Sequence, residues 1–375
     1  MKKLQMVDLK GQYNKIKDQI DKAVIDVIDS TAFINGPEVR QFQEDLEKYL
    51  GVKHVIPCAN GTDALQIAMM GLGLKPGDEV ITTDFTFAAT VEVIALLQLT
   101  PVLVDCDLNN MNISIEAIKK AITPKTKAIV PVHLFGRAVN MDAVLKIAKA
   151  HNLYVIEDNA QGIGATHTSK KGKKKLGAIG DIGTTSFFPS KNLGCYGDGG
   201  ALFTNNDELA HTIRGIVNHG MYERYHHDVV GVNSRLDSVQ AAILRIKLPL
   251  LDGYNKARQK AALYYSNGLD VNENIVVPFI CDPCDCHVFH QYVIRITNGQ
   301  RDGLLAHLQE KQIPCAVYYP IPLHKQKAYT DTRYKEEDFK VTNQLSDEVI
   351  ALPMHTELET AQQDLIINTI LDFLK

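Results

Sequence analysis

The chain lacks long apolar runs, strong charge of either sign and any complete form of several common catalytic motifs. Its longest apolar stretches, such as Val93 to Leu97, fall far short of a membrane span. The opening residues Met1 to Lys10 hold no apolar block of the secretory kind, so a soluble, cytoplasmic protein with no membrane partner is expected. With 40 Lys+Arg against 44 Asp+Glu the net charge is −4, which argues against a surface built for nucleic acid. Hydrophobic residues at 45% and charged residues at 22% leave no ground for a disordered, collagenous or coiled-coil chain.

Seven cysteines are an odd number for a disulfide framework, and reduced thiols are expected. Cys281, Cys284, Cys286 and His287 are spaced as a zinc site could use. Only His290 is at hand as a further ligand, so a Pro-punctuated loop of free thiols and no metal are expected. H-E-x-x-H, G-x-x-x-x-G-K-[ST] and G-x-S-x-G are absent. Gln161-Gly162-Ile163-Gly164-Ala165 resembles half of a dinucleotide fingerprint, but the missing third glycine removes the close helix packing that seats a pyrophosphate.

Apolar residues three or four apart from Tyr13 to Val27 read as an amphipathic helix, and Gly36-Pro37 opens a second carrying Val39, Phe42, Leu46 and Leu50 inward. Short apolar runs then alternate with helical stretches: 54–58, 79–82, 101–105, 127–134 and 153–157 as strands, with helices from Thr62, near 86–97 and over 140–150. That rhythm predicts βαβ crossovers and a mostly parallel sheet covered on both faces. Strands at 184–188 and 200–204 flank a glycine-rich loop. Helices over 234–250 and 254–267 lead into a C-terminal α+β region with Gln291 to Ile296, a helix near 302–311 and an extended run from Cys315 to Tyr319. We expect an N-terminal segment and large domain over 1–250 and a small C-terminal domain over 251–375. Lys170-Lys171-Gly172-Lys173-Lys174-Lys175 reads as a solvated turn.

Ligands of an open parallel sheet bind beyond the carboxyl ends of its strands, which here offer Gly61 and Thr62, Phe85 to Phe87, Asp158, Gln161, Ser186 and Lys191. A phosphorylated pyridine aldehyde would give each a task. Gly61-Thr62 opens a helix, where unpaired N–H groups and the peptide dipoles favour a phosphate, and Thr62 and Ser186 add hydroxyls. A carboxylate such as Asp158 keeps a pyridine nitrogen protonated, and a protonated ring drains electrons from a neighbouring carbanion. Phe87 can cover a ring face. The amine of Lys191 can condense with an aldehyde and later carry a proton. Blander readings exist for each member: Asp158 as a helix cap, Gly61-Thr62 as a turn, Phe85 and Phe87 as core, Lys191 as a solvated lysine. The ordered set is what points to chemistry.

Asn60 to Leu65, Asp84 to Thr90, Glu157 to Gln161, Ser186 to Gly194, Gly197 to Ala201 and Gly231 to Asp237 together resemble the DegT/DnrJ/EryC1/StrS family of sugar aminotransferases, with likeness running from Val7 to His355. The resemblance implies fold type I, an α/β large domain with a mostly parallel seven-stranded sheet between helices, a smaller α+β domain, and dependence on pyridoxal 5′-phosphate. It implies that Lys191 bonds to the cofactor, Asp158 faces the pyridine nitrogen, Gln161 meets the ring hydroxyl and Phe87 stacks on the ring. Gly61, Thr62 and Ser186 would hold the phosphate, joined by Asn233 from the other subunit of a homodimer with shared active sites. Related dehydratases have histidine at the lysine position, so Lys191 speaks for transamination.

Within the family, Cys195-Tyr196, Arg224 to His227 and Tyr319 to Leu323 are similar to enzymes that aminate C3 of UDP-2-acetamido-2-deoxy-3-oxo-glucuronate for bacterial surface polysaccharides, with L-glutamate as donor. Arg235 would pair with a carboxylate, which a planar guanidinium suits. Tyr318 stands where that likeness has histidine, and with Tyr319 it would line the sugar site; a phenol can donate to a carboxylate too. Amination of a 4-keto or another 3-keto 6-deoxy sugar is the alternative, because the cofactor residues are shared.

Overall fold

The computed structural model describes residues 3–170, 172–280 and 285–375. Strands and helices alternate through the first part: α1 (Leu9–Ser30), α2 (Pro37–Leu50), β1 (His54–Cys58), α3 (Gly61–Gly71), β2 (Glu79–Thr83), α4 (Ala89–Leu96), β3 (Thr100–Val104), α5 (Ile115–Ala121), β4 (Thr126–Val130), α6 (Met141–His151) and β5 (Tyr154–Asp158). A hairpin β6 (Thr166–Ser169) and β7 (Gly172–Lys175) precedes β8 (Ile182–Ser186), β9 (Gly200–Thr204), α7 (Asp207–Ile216), β10 (Met221–Glu223), β11 (His226–His227), α8 (Ser238–Lys247) and α9 (Leu251–Leu269). The chain ends with β12 (Ile275–Val276), β13 (Tyr292–Ile296), α10 (Arg301–Glu310), α11 (Lys340–Glu348), β14 (Val349–Leu352) and α12 (Thr360–Phe373). Helix starts follow local chemistry: side chains of Asp8, Asn60, Asn140 and Asn206 accept from first-turn N–H groups, and Pro37 sits at the first position of α2.

Seven strands form one sheet in the order β1-β9-β8-β5-β4-β2-β3. Only β9 runs against its neighbours; the other pairings are parallel. Consecutive residues serve opposite faces. Val80 and Ile156 pack with Leu65, Ile67 and Ile213 under α3 and α7, while Ile81 and Val155 pack with Val144 and Ile147 of α6. That is why these strands read as unbroken apolar runs. Phe42 and Leu46 of α2 and Leu244 of α8 close over Phe203 at the β1–β9 edge. A second sheet, β12-β13-β14, has its own core of Tyr292, Ile294 and Leu352 against Tyr265, Leu304 and Ile370.

Three expectations are corrected. Residues 315–319 are not a strand; only Ala316 makes an isolated bridge, to Ala351. Pro314 and Pro320 flank the run, and proline offers no N–H to a ladder. The lysine cluster is not merely a solvated turn, since it forms β7, and Lys175 Nζ donates to Tyr49 Oη at 3.1 Å and Gly164 O at 3.2 Å. Cys286 is disulfide-bonded, whereas Cys58, Cys106, Cys195 and Cys315 are free thiols. Whether thiols pair depends on how closely the fold brings their sulfurs as well as on redox conditions. Residues 281–284, part of the thiol-rich stretch, lie outside the described residues. Among the described residues no helix is long and apolar enough to cross a membrane.

Candidate active site

The ends of β1, β2, β5 and β8 meet at one rim. After β1, the side chain of Asn60 accepts from Asp63 N–H at 2.8 Å and starts α3, leaving the N–H groups of the first turn pointing out of the helix. Gly61 lies against the end of β8: a Cβ there would stand 2.7 Å from Ser186 Cβ, so only glycine allows this approach. Ser186 Oγ accepts from Phe188 N–H at 3.2 Å. Ser234 Oγ donates to Asp63 at 2.6 Å and accepts from Ala59 N–H at 3.0 Å, which ties the segment after β11 to the base of α3.

Asp158 ends β5 and is buried. It caps no helix. Its Oδ2 accepts from Thr90 Oγ1 at 2.8 Å and its Oδ1 from Ala160 N–H at 3.2 Å. Beneath it, Glu157 is fully enclosed and takes hydrogen bonds from His133 Nε2 at 3.0 Å and from N–H groups of Gly177, Ile179 and Gly180 at 3.0, 2.7 and 2.7 Å. Because His133 Nδ1 accepts from Val139 N–H at 3.2 Å, Nε2 is the donor to Glu157. Burial pushes the Glu157 carboxyl up, but His133 and these N–H groups outweigh it and hold it below the usual range. Glu157 thereby fixes the end of β5 on which Asp158 stands.

Lys191 sits in the loop between β8 and β9. Burial of its amine lowers the pKa to about 8, and attraction to Asp158 opposes that shift. Gln161 is buried, with Oε1 accepting from Phe135 N–H at 2.5 Å and Nε2 donating to Tyr319 Oη at 3.3 Å. Tyr319 stacks on Phe135 with ring centroids 6.4 Å apart, and burial raises its phenol well above the ordinary value. The Phe87 ring lies 6.5 Å from that of Tyr319 and is 60% exposed, a free aromatic face at the mouth. Asp84 accepts from both the backbone N–H and Nδ1 of His324, each at 2.7 Å, and so pins the Tyr318–His324 strap to the end of β2.

The structure thus gathers Gly61, Ser186, Asp158, Lys191, Gln161, Phe87 and Tyr319, with Thr62 on the first turn of α3 and Tyr318 beside Tyr319. Asn233 is not joined to that group; it is exposed and its backbone bridges to Asn218. Arg235 is half-buried two residues further on. Sequence reasoning missed Thr90, His133, Asp84 and His324 as supports. Asp84 and Thr90 stood at the two ends of the Asp84–Thr90 motif, and no local spacing marked His133 or His324.

The profile of the DegT/DnrJ/EryC1/StrS aminotransferase family matches residues 14–371. The chain is 46% identical over 363 residues to a UDP-2-acetamido-2-deoxy-3-oxo-D-glucuronate aminotransferase of Pseudomonas aeruginosa, covering 97% of this chain and 98% of that protein. It is 45% identical over 372 residues to a protein of Geobacillus stearothermophilus named pleiotropic regulatory protein, covering 99% and 98%. The X-ray structure of S. venezuelae DesV in complex with a ketimine intermediate superposes with a TM-score of 0.95 at 35% identity, covering 100% of this chain and 99% of that one.

Proposed function

The chain belongs to the DegT/DnrJ/EryC1/StrS aminotransferase family, and from that premise we propose that it moves the amino group of L-glutamate to C3 of UDP-2-acetamido-2-deoxy-3-oxo-D-glucuronate, serving bacterial surface polysaccharide synthesis. It is a pyridoxal 5′-phosphate-dependent aminotransferase of nucleotide-sugar metabolism. The residues fit that cofactor. An enclosed amine, a fixed carboxylate, a helix start made bare by glycine and an uncovered aromatic face are the groups a phosphorylated pyridine aldehyde requires. When bound, the cofactor supplies an exchangeable carbonyl and an electron-poor ring.

Lys191 holds the cofactor and, once released, its Nζ takes the proton from the donor's α-carbon. A lysine with an ordinary pKa of about 10.4 would be almost wholly protonated at neutral pH; at about 8 a useful fraction is free to act. Asp158, held by Thr90, faces the pyridine nitrogen, and Gln161 offers its remaining amide proton to the ring hydroxyl. Gly61, Thr62 and Ser186 take the phosphate, and Phe87 covers the ring.

Asn233 and Arg235 reach the site of a second copy, in a homodimer with shared active sites. The exposed Phe33, Ile34, Phe188 and Val230 supply apolar surface of the kind such contacts use. Tyr318 and Tyr319 line the sugar side with Arg235, which pairs with the uronate. Residues 251–375 form the smaller domain, for which the separate core around Tyr292 speaks.

The observation that carries this reading is that one rim holds Asp158, fixed by Thr90 at 2.8 Å, the bare helix start at Gly61 against Ser186, and the loop that bears Lys191. Its test is incubation with glutamate and each candidate keto-sugar, with the product's amine located by mass spectrometry. Amination at C3 of the uronate supports the assignment; amination only at C4 of a 6-deoxy sugar replaces it with the alternative. A regulatory protein without turnover would convert neither.

A further inference from the structure

The loop that carries Lys191 is held from outside by groups on α8 and α9. The amide of Asn192 donates to Asn255 Oδ1 at 2.7 Å and to Val288 O at 3.0 Å, and Asn255 Nδ2 donates onward to Ile163 O at 3.2 Å. Three residues past Lys191, the carbonyl of Gly194 accepts from Lys247 Nζ at 2.5 Å. The return of the loop there is tight, since a Cβ on Gly194 would stand 2.4 Å from Pro189 O. Cys195 Sγ closes the far side by donating to the carbonyls of Phe187 and Gly197 at 3.0 and 3.1 Å.

Lys247 is unusual among these groups. It ends α8, is 1% exposed, and pairs with no carboxylate among the described residues. Its Nζ also lies 5.1 Å from the centroid of the Tyr196 ring. Removing an ammonium from water is costly unless it is paired, and an apolar side chain of similar length serves packing better. What a methionine could not supply is the hydrogen bond to the loop. We infer that Lys247 is a positioning residue of the transamination, holding the Gly194 carbonyl so that the Lys191 amine stays registered against Asp158. This rests on the reading of Lys191 as the cofactor lysine.

The test is Lys247→Met in the cofactor-loaded enzyme. A catalytic amine displaced by about an ångström costs on the order of 10- to 100-fold in kcat, with KM for glutamate within about 2-fold of wild type. The pH midpoint of the lysine-bound cofactor's absorbance shifts with it, a change that a packing role alone would not produce. Lys247→Gln, which keeps an N–H donor without the charge, recovers part of the lost rate. Should Lys247→Met not fold, a lowered kcat and shifted midpoint in Lys247→Gln carry the same conclusion. A folded variant with kcat and midpoint both unchanged overturns the inference, even if its melting temperature falls. A wild-type enzyme whose cofactor is not bonded to Lys191 overturns the underlying reading instead, and is recognised before any variant is made.

Discussion

Asp158 takes hydrogen bonds from Thr90 at 2.8 Å and from Ala160 at 3.2 Å, while Asn233 and Arg235 belong to a stretch whose neighbours Tyr225 and Val230 stand 75% and 86% exposed. The cofactor side of the site is closed within one chain: Glu157 and His133 fix the end of β5, and Asn255 and Lys247 fix the Lys191 loop. The outer side is polar and aromatic equipment with little packed against it. The cofactor side is thus supported within the chain, whereas the outer side around Asn233 is exposed.

The sharpest way to break the contrast is on the closed side. Lys191→Ala should lower kcat by about 10⁴-fold or more while the thermal unfolding curve stays cooperative. Turnover retained in that variant would remove the mechanism. The open side is addressed by mixing. Equal amounts of Lys191→Ala and Asn233→Ala chains, each nearly inactive alone, should recover about a quarter of wild-type activity, because half of the dimers are mixed and each has one intact site. Assay after co-refolding checks this, and no recovery would mean that each site is built within one chain. Thr90→Val removes one hydrogen bond to a charged group and should lower kcat about 10-fold, with little change in the KM of the sugar.

The smallest effect concerns pH. The neutral amine is the form that combines with an aldehyde, so recombination of stripped enzyme with cofactor should speed up as pH rises and level off above about 8, the pKa to which burial lowers Lys191. A rate still rising steeply beyond pH 9 would show the amine to be solvated.

The parallel sheet was legible because strands buried on both faces are continuous apolar runs, and 79–82 and 153–157 needed no partner to be recognised. The residues at strand ends were legible for a related reason: topology alone brings Gly61, Asp158 and Ser186 to one rim. Their supports were not. Thr90 meets Asp158 across 68 positions, Lys247 meets Gly194 across 53 and His324 meets Asp84 across 240, so periodicity gives no sign of them. Residues 315–319 misled for the opposite reason. Their composition suits a strand, but they meet the sheet only at Ala316, which bridges to Ala351, and Pro314 and Pro320 bar the pairing from extending at either end.

Two lysines of this chain share the chemistry of an enclosed amine, since burial also lowers Lys247 to about 8. Borohydride reduction of the cofactor-loaded protein, followed by proteolysis and mass spectrometry, decides between them. The account requires the added mass on the peptide spanning Ser186 to Gly194, at Lys191; an adduct at Lys247 or at any other lysine, or none, would contradict it.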